Sequence, residues 1–202
     1  MLKQVKIAVF VSGGGTNLQA LIDAEKSGVL KSGKIVLVLS DNPDAYALSR
    51  AEKAGIPTAV VIRKDYSSQE EYENAVANTV IKNGVQLIVL AGFMRILGKN
   101  FTDRFKDRII NVHPSLIPSF CGKGFYGLKV HQAALDYGVK VTGATVHFVN
   151  EIADGGRIIM QKAVEIRPGD TPETLQKRVM REAEWVILPQ SAEYVCQQIL
   201  KS

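Results

Sequence analysis

Val5 to Ser12 is a near-continuous apolar run, and Gly13-Gly14-Gly15 follows it directly. Behind the glycines, Leu18, Leu21 and Ile22 recur at helical spacing. A strand that is apolar along its length is buried on both faces, as strands of parallel sheets are. The first forty residues therefore demand a layered α/β arrangement with helices covering a sheet. The pattern then repeats. Strands are expected at Ile35–Leu39, Thr58–Ile62, Gln86–Leu90 and Ile109–His113, with helices at Ala45–Ala54 and from Ser67 to Gly84. Thr16-x-x-Gln19 and Ser67-x-x-Glu70 have the spacing of capping boxes.

After Pro114 the pattern changes. Residues 114–127 are loop-like, and Leu128–Tyr137 reads as a helix. Thr142–Val149 and Arg157–Ile166 read as a hairpin joined through Asn150–Gly156. Thr171-x-x-Thr174 opens a last helix, with a kink or break expected at Pro189. The expected fold is an α/β, Rossmann-like open sheet. Its N-terminal part is mostly parallel, an antiparallel C-terminal hairpin is appended, and helices lie on both faces. The 202 residues suit a single domain. Within it, 1–113 form a phosphate-binding α/β part, and 114–202 add the loop, hairpin and C-terminal helix.

Composition excludes several classes. No apolar run approaches the roughly 18 residues that span a bilayer. Met1-Leu2-Lys3-Gln4 leads straight into strand-like sequence without a leader's apolar core, so a cytoplasmic location is expected. The net charge of +5 is scattered, with no basic run and no interleaved aromatics. That argues against nucleic acid and suits small anionic substrates. The two cysteines, Cys121 and Cys196, have no metal-type spacing, and no metal is expected.

Chemistry concentrates in two places. Gly13-Gly14-Gly15 lies between a strand and a helix, where backbone N–H groups and the positive helix end favour a phosphate. No Lys-Ser/Thr follows at P-loop spacing, and Leu18 stands where a dinucleotide fingerprint has its third glycine. A single phosphate fits better than a dinucleotide; a tight turn without a ligand is the plainer alternative. The second place is Asn111-Val112-His113-Pro114. Alternation puts Asn111 and His113 on one face, and Pro114 ends the strand there. Ligands of open α/β sheets bind at that edge. Asp154, in the hairpin loop, is a candidate partner for His113: a nearby carboxylate favours imidazolium and raises the ring's pKa. Asn111 is a candidate donor to a developing oxyanion. A serine nucleophile is disfavoured, since Ser12-Gly-Gly is no GxSxG elbow. His147, in Val146-His147-Phe148-Val149, reads as a packed strand residue.

Four segments occur in order: Ser12-Gly-Gly-Gly-Thr-Asn17, Ala91-Gly-Phe-Met-Arg95, Asn111-Val-His-Pro-Ser-Leu-Ile-Pro118 and Asp154-Gly-Gly156. Together they resemble the phosphoribosylglycinamide formyltransferase (glycinamide ribonucleotide transformylase) family, within the folate-dependent formyltransferase superfamily. The likeness spans essentially the whole chain. It implies formyl transfer from 10-formyltetrahydrofolate to the amine of glycinamide ribonucleotide, with 10-formyltetrahydrofolate as co-substrate and no metal. It also implies roles for individual residues. Asn111, His113 and Asp154 match the catalytic set. Gly14, Gly15, Thr16 and Asn17 match the phosphoribosyl turn, and Glu184 matches an acidic residue that holds the nucleotide. Met94, Arg95, Ile96 and Leu97, Asn111, and the loop Asn150, Glu151, Ile152, Ala153 and Asp154 match the folate pocket. A homodimer is compatible with the sequence, and nothing in it fixes the oligomeric state.

Two departures stand out. Where many members carry a basic residue for the folate tail, this chain has Gln69, leaving Arg63 or Lys64 as substitutes. The loop Ser119–Gly127 is longer than usual in the family and contains Lys123 and Cys121. Rival readings are a formyltetrahydrofolate hydrolase or another formyltransferase of the superfamily and, in a different class, a non-catalytic nucleotide-binding module.

Overall fold

A computed structural model describes residues 3–202; Met1 and Leu2, part of the start read above as leader-free, lie outside the described residues. The strands are β1 (Val5–Val11), β2 (Gly33–Ser40), β3 (Thr58–Val60), β4 (Leu87–Leu90), β5 (Ile109–His113), β6 (Val141–Phe148) and β7 (Ile158–Glu165). They form one sheet in the order β3-β2-β1-β4-β5-β6-β7. β1 to β5 pair in parallel; β6 is antiparallel to β5, and β7 to β6. The chain winds outward from β1 to β3, then returns to β4 beside β1. The resulting switch point opens a crevice at the C-terminal ends of β1 and β4.

Helices cover both faces: α1 (Thr16–Ser27), α2 (Tyr46–Lys53), α3 (Gln69–Lys82), α4 (Lys99–Arg104), α5 (Leu128–Tyr137), α6 (Pro172–Val179) and α7 (Trp185–Lys201). Alternate residues of β1 divide between two cores. Val5, Ile7, Val9 and Val11 pack with Leu18 and Leu21 of α1 and Leu188 and Val195 of α7. Ala8 and Phe10 face the other way, with Tyr72, Val76 and Val80 of α3 and Phe101 of α4. This two-sided burial is why β1 reads as apolar throughout. Among the described residues, no helix is long and apolar enough to cross a membrane.

Three local expectations shift. The N-cap of α1 is Gly15 at φ +72°, with no side-chain cap, so Thr16 is the first helical residue and makes no capping box. The leading N–H groups of the helix are therefore left without a side-chain hydroxyl as cap. At α3 the cap falls one residue later: the Ser68 side chain accepts from the Glu71 N–H, while Ser67 bonds the Glu71 carboxylate. Third, the helix neither breaks nor stops at Pro189, which lies inside α7. The irregularity is a π-helical segment, Met180–Glu184, ahead of it. Proline lacks an N–H and crowds the carbonyl four residues back, here that of Trp185, so the distortion collects on the N-terminal side. The helix expected to open at Thr171 does so, and Thr171 and Thr174 form a capping box.

Candidate active site

β5 brings Asn111 and His113 to the sheet's edge, and its antiparallel neighbour sets what faces them. Asn111 pairs with His147 and His113 with Thr145 across β5 and β6. The four side chains share one face because successive strand residues alternate. The Thr145 hydroxyl donates to the Ser115 carbonyl (2.7 Å) and accepts from the Ile117 N–H (3.0 Å), fixing the chain just after Pro114. Phe120 then curls back, and its carbonyl lies 2.9 Å from His113 Nε2.

The loop between β6 and β7 delivers Asp154 at φ +56°, a backbone conformation that short polar residues tolerate. Gly156 lets the loop close. A Cβ there would sit 1.7 Å from the Phe148 carbonyl oxygen. Asp154 Oδ2 lies 3.4 Å from His113 Nδ1 and accepts from the Gly122 N–H at 2.8 Å. Its Oδ1 is 3.5 Å from His147 Nε2. His147 Nδ1 is 2.8 Å from the Phe148 carbonyl, which can only accept, so a singly protonated ring carries its proton on Nδ1 and its Nε2 accepts from the Asn111 amide at 3.3 Å. His147 is thus no mere packing residue. It orients the Asn111 amide and touches Asp154. The signal available in the sequence was its period-two relation to Thr145 in a strand facing Asn111.

His113 is 4% exposed. Burial is the largest influence on it and holds the ring below the usual histidine value; Asp154 and the Phe120 carbonyl pull the other way without prevailing. The raised pKa expected beside a carboxylate is therefore corrected to a lowered one. Nε2 faces the Phe120 carbonyl and Nδ1 faces Asp154, so a proton on either nitrogen meets an acceptor. For Asp154 burial acts upward, but His147, the charge of His113 and the Gly122 N–H outweigh it and hold the carboxyl below its usual range.

The nucleotide-side candidates converge from distant parts of the chain. Asn17, at the start of α1, donates to Glu184 Oε2 at 2.7 Å. Both side chains are buried, and Asn17 Oδ1 has no partner. The π-helical segment ends on Glu184 and turns it inward. Gly15 packs so closely on α2 that a Cβ would lie 2.6 Å from that of Ala47. Arg50 donates from Nε to the Gly14 carbonyl at 2.9 Å. An open groove of about 560 Å³ between α1 and α7 adjoins this end through Thr16 and Arg50; none of the residues around His113 lines it.

Of the candidates for a folate pocket, Met94 and Ile96 are exposed and Leu97 is buried, so Leu97 offers only backbone. Ile152 is exposed in the facing loop, while the Asn150 side chain accepts from the Ile152 N–H at 3.0 Å. Glu151 is exposed and Ala153 half-buried. Gln69 is engaged within the protein: it donates to Glu73 at 2.7 Å and accepts from Arg63 Nε at 3.1 Å. The Cys121 thiol donates to the Pro118 carbonyl at 3.2 Å; burial first, then Asp154, push its pKa up, against a reactive thiolate. Among the described residues, no group of three or more His, Cys, Asp or Glu is placed to hold a metal.

Burial pushes the Glu184 carboxyl up to about 7, the Asn17 amide acting against it. Between the usual carboxylate range and that value, the unfolded chain has lost the proton that the folded one keeps. Stability from this group is therefore complete below the usual range and lost as pH rises to about 7, by about 3 kcal/mol. His131, fully buried, acts in the opposite sense: burial and then the charge of His113 push it down to about 4, so its contribution is lost as pH falls. For Glu184→Gln, the melting-temperature deficit relative to the native protein should shrink as pH rises from 5 to 7. A deficit that grows would reverse the assignment.

Residues 5–191 match a protein family described as formyl transferase. The chain is 47% identical over 184 residues to a phosphoribosylglycinamide formyltransferase of Haemophilus influenzae, covering 91% of this chain and 84% of that protein. It is 46% identical over 192 residues to the trifunctional purine biosynthetic protein adenosine-3 of Gallus gallus, covering 95% of this chain but only 18% of that far longer protein. Among solved structures, glycinamide ribonucleotide transformylase 1 of Symbiobacterium toebii superimposes with a TM-score of 0.91 at 38% identity, covering 98% of this chain and 90% of that one. A phosphoribosylglycinamide formyltransferase of Brucella melitensis does so at 0.88 and 41%, covering 96% of each chain.

Proposed function

The chain belongs to the formyl transferase family, and on that premise we propose that it transfers a formyl group from 10-formyltetrahydrofolate to the amine of glycinamide ribonucleotide, in de novo purine (IMP) synthesis. One observation carries the reading. A carboxylate from the β6–β7 loop reaches His113, beside Asn111, at the C-terminal edge of β5. The exposed apolar side chains of Met94, Ile96 and Ile152 suit a planar ring system, and the glycine turn suits a phosphate.

As the amine attacks the formyl carbon, negative charge grows on the formyl oxygen. In this reading the Asn111 amide and the His113 Nε2–H donate to that oxygen, which takes the place of the Phe120 carbonyl as acceptor. The proton shed by the amine moves, directly or through water, to the departing folate nitrogen. His113 is placed to relay it at Nε2, giving that proton to the folate nitrogen and taking up the amine's, while a proton on Nδ1 lies against Asp154 and is stabilised there. His147 holds the amide of Asn111 in the donating orientation. Direct attack requires no covalent enzyme intermediate, so the protein contributes chiefly proximity and prepared dipoles.

The test is turnover of purified protein with both substrates, following release of the deformylated folate. Formate production without the acceptor would instead favour a hydrolase. Bound nucleotide without turnover would favour the non-catalytic module. Gly15→Val separates the two substrate sites: φ +72° and the contact with Ala47 leave a side chain no room. The KM for glycinamide ribonucleotide should rise about tenfold or more, well beyond that for the folate, as expected when a phosphate loses its backbone donors. Equal losses would argue against the turn as the phosphate site.

A further inference from the structure

Asp41 follows directly after β2 and is 6% exposed. Its two oxygens face different segments. Oδ1 accepts from the Ser12 hydroxyl at 2.6 Å, and Oδ2 accepts from Arg95 Nε at 2.5 Å. Ser12 opens the glycine turn, and Arg95 belongs to the segment after β4. The two are also tied to each other: Ser12 Oγ accepts from the Met94 N–H at 2.9 Å, and the Ser12 N–H donates to the Gly92 carbonyl at 3.2 Å. The Asn42 amide closes the knot by donating to the Ser12 carbonyl at 3.3 Å. The knot sits at the switch point, between the ends of β1, β2 and β4. A buried carboxylate is costly unless paired and hydrogen-bonded, so both oxygens hold their partners firmly. The Arg95 side chain is itself 43% exposed.

We propose that Asp41 is a positioning residue that fixes the spacing between the turn that binds the nucleotide phosphate and the segment that binds the folate. The assignment of ligands to these segments rests on the function proposed above; the coupling of the segments through Asp41 does not. Its consequence for catalysis is geometric. Two reacting atoms must be held about 3 Å apart, and a displacement of about 1 Å costs on the order of a hundredfold in rate.

Asp41→Ala removes both acceptors. It should raise the KM for both substrates about tenfold and lower kcat together with them. Asp41→Asn restores both bonds, its oxygen accepting from Arg95 and its N–H donating to Ser12 Oγ, and should bring both KM values within about threefold of the native protein. A merely structural role would lower the melting temperature and the active fraction but leave both KM values unchanged. That outcome overturns the proposal, as does an Asp41→Asn protein as impaired as Asp41→Ala. Amide exchange at Met94, read by NMR on the same proteins, decides the coupling without reference to activity. Protection should fall in Asp41→Ala and return in Asp41→Asn; unchanged protection in Asp41→Ala overturns the coupling. A native protein that turns over neither substrate overturns the functional reading alone, and the Met94 amide still decides the role of Asp41.

Discussion

Asp154→Asn is expected to lower kcat by about a thousand- to ten-thousandfold while the protein remains folded, the scale seen when a histidine loses its orienting carboxylate. The backbone tolerates the change, because asparagine, like aspartate, adopts the left-handed conformation at φ +56°. The amide oxygen can still accept from the Gly122 N–H. What disappears is the negative charge beside His113 Nδ1 and His147 Nε2. His113 is already held below its usual pKa by burial, and Asp154 is the strongest influence opposing that. Without it, a proton on Nδ1 has no counter-charge in a buried site, and proton transfer through the ring becomes far harder. Steady-state kinetics across pH, with circular dichroism to establish the fold, measure this. Turnover unchanged at every pH would remove Asp154 from the mechanism.

Asn111→Ala should reduce kcat about a hundred- to a thousandfold, the usual loss for one oxyanion donor, with a smaller change in either KM. Asn111→Asp has nearly the same shape but presents an acceptor where a donor is needed. It should be at least as slow as the alanine variant. An active aspartate variant would show that Asn111 contributes shape rather than a hydrogen bond. Both substitutions also leave His147 Nε2 without its donor, so the comparison between them isolates the contribution at the reacting oxygen.

The strand and helix pattern was legible because buried parallel strands have no polar face to interrupt them. β1 and β4 could be read directly, as could the change of pattern after Pro114. Helix starts were less certain. Thr16 has the spacing of a cap, but its neighbour Gly15 takes the left-handed turn and becomes the cap itself. Pro189 marks a disturbance correctly, yet the distortion appears upstream, where a π-helical segment places Glu184. Local sequence names the residue responsible for strain, while packing chooses where the strain is taken up.

Asn111 and His113 could be paired from sequence because strand geometry fixes neighbours two residues apart. Asp154 could be nominated from its loop. The contacts of His147 are not legible in the sequence, because they depend on which strand pairs with β5 and in which register, and the pattern within β6 carries no such information. The direction of the pKa shift at His113 is hidden from the sequence for a similar reason. A nearby carboxylate is visible in the sequence, but the depth of burial that overrides it is not. Asn17 and Glu184 lie 167 residues apart and Ser12 and Asp41 lie 29 apart, and no periodicity links either pair. The sequence by itself determined the layered α/β fold and the face shared by Asn111 and His113, because these follow from local periodicity. Only the tertiary structure decided the burial of His113, the contacts of His147 and the knot at Asp41, because burial and cross-strand register exist only once the sheet has assembled.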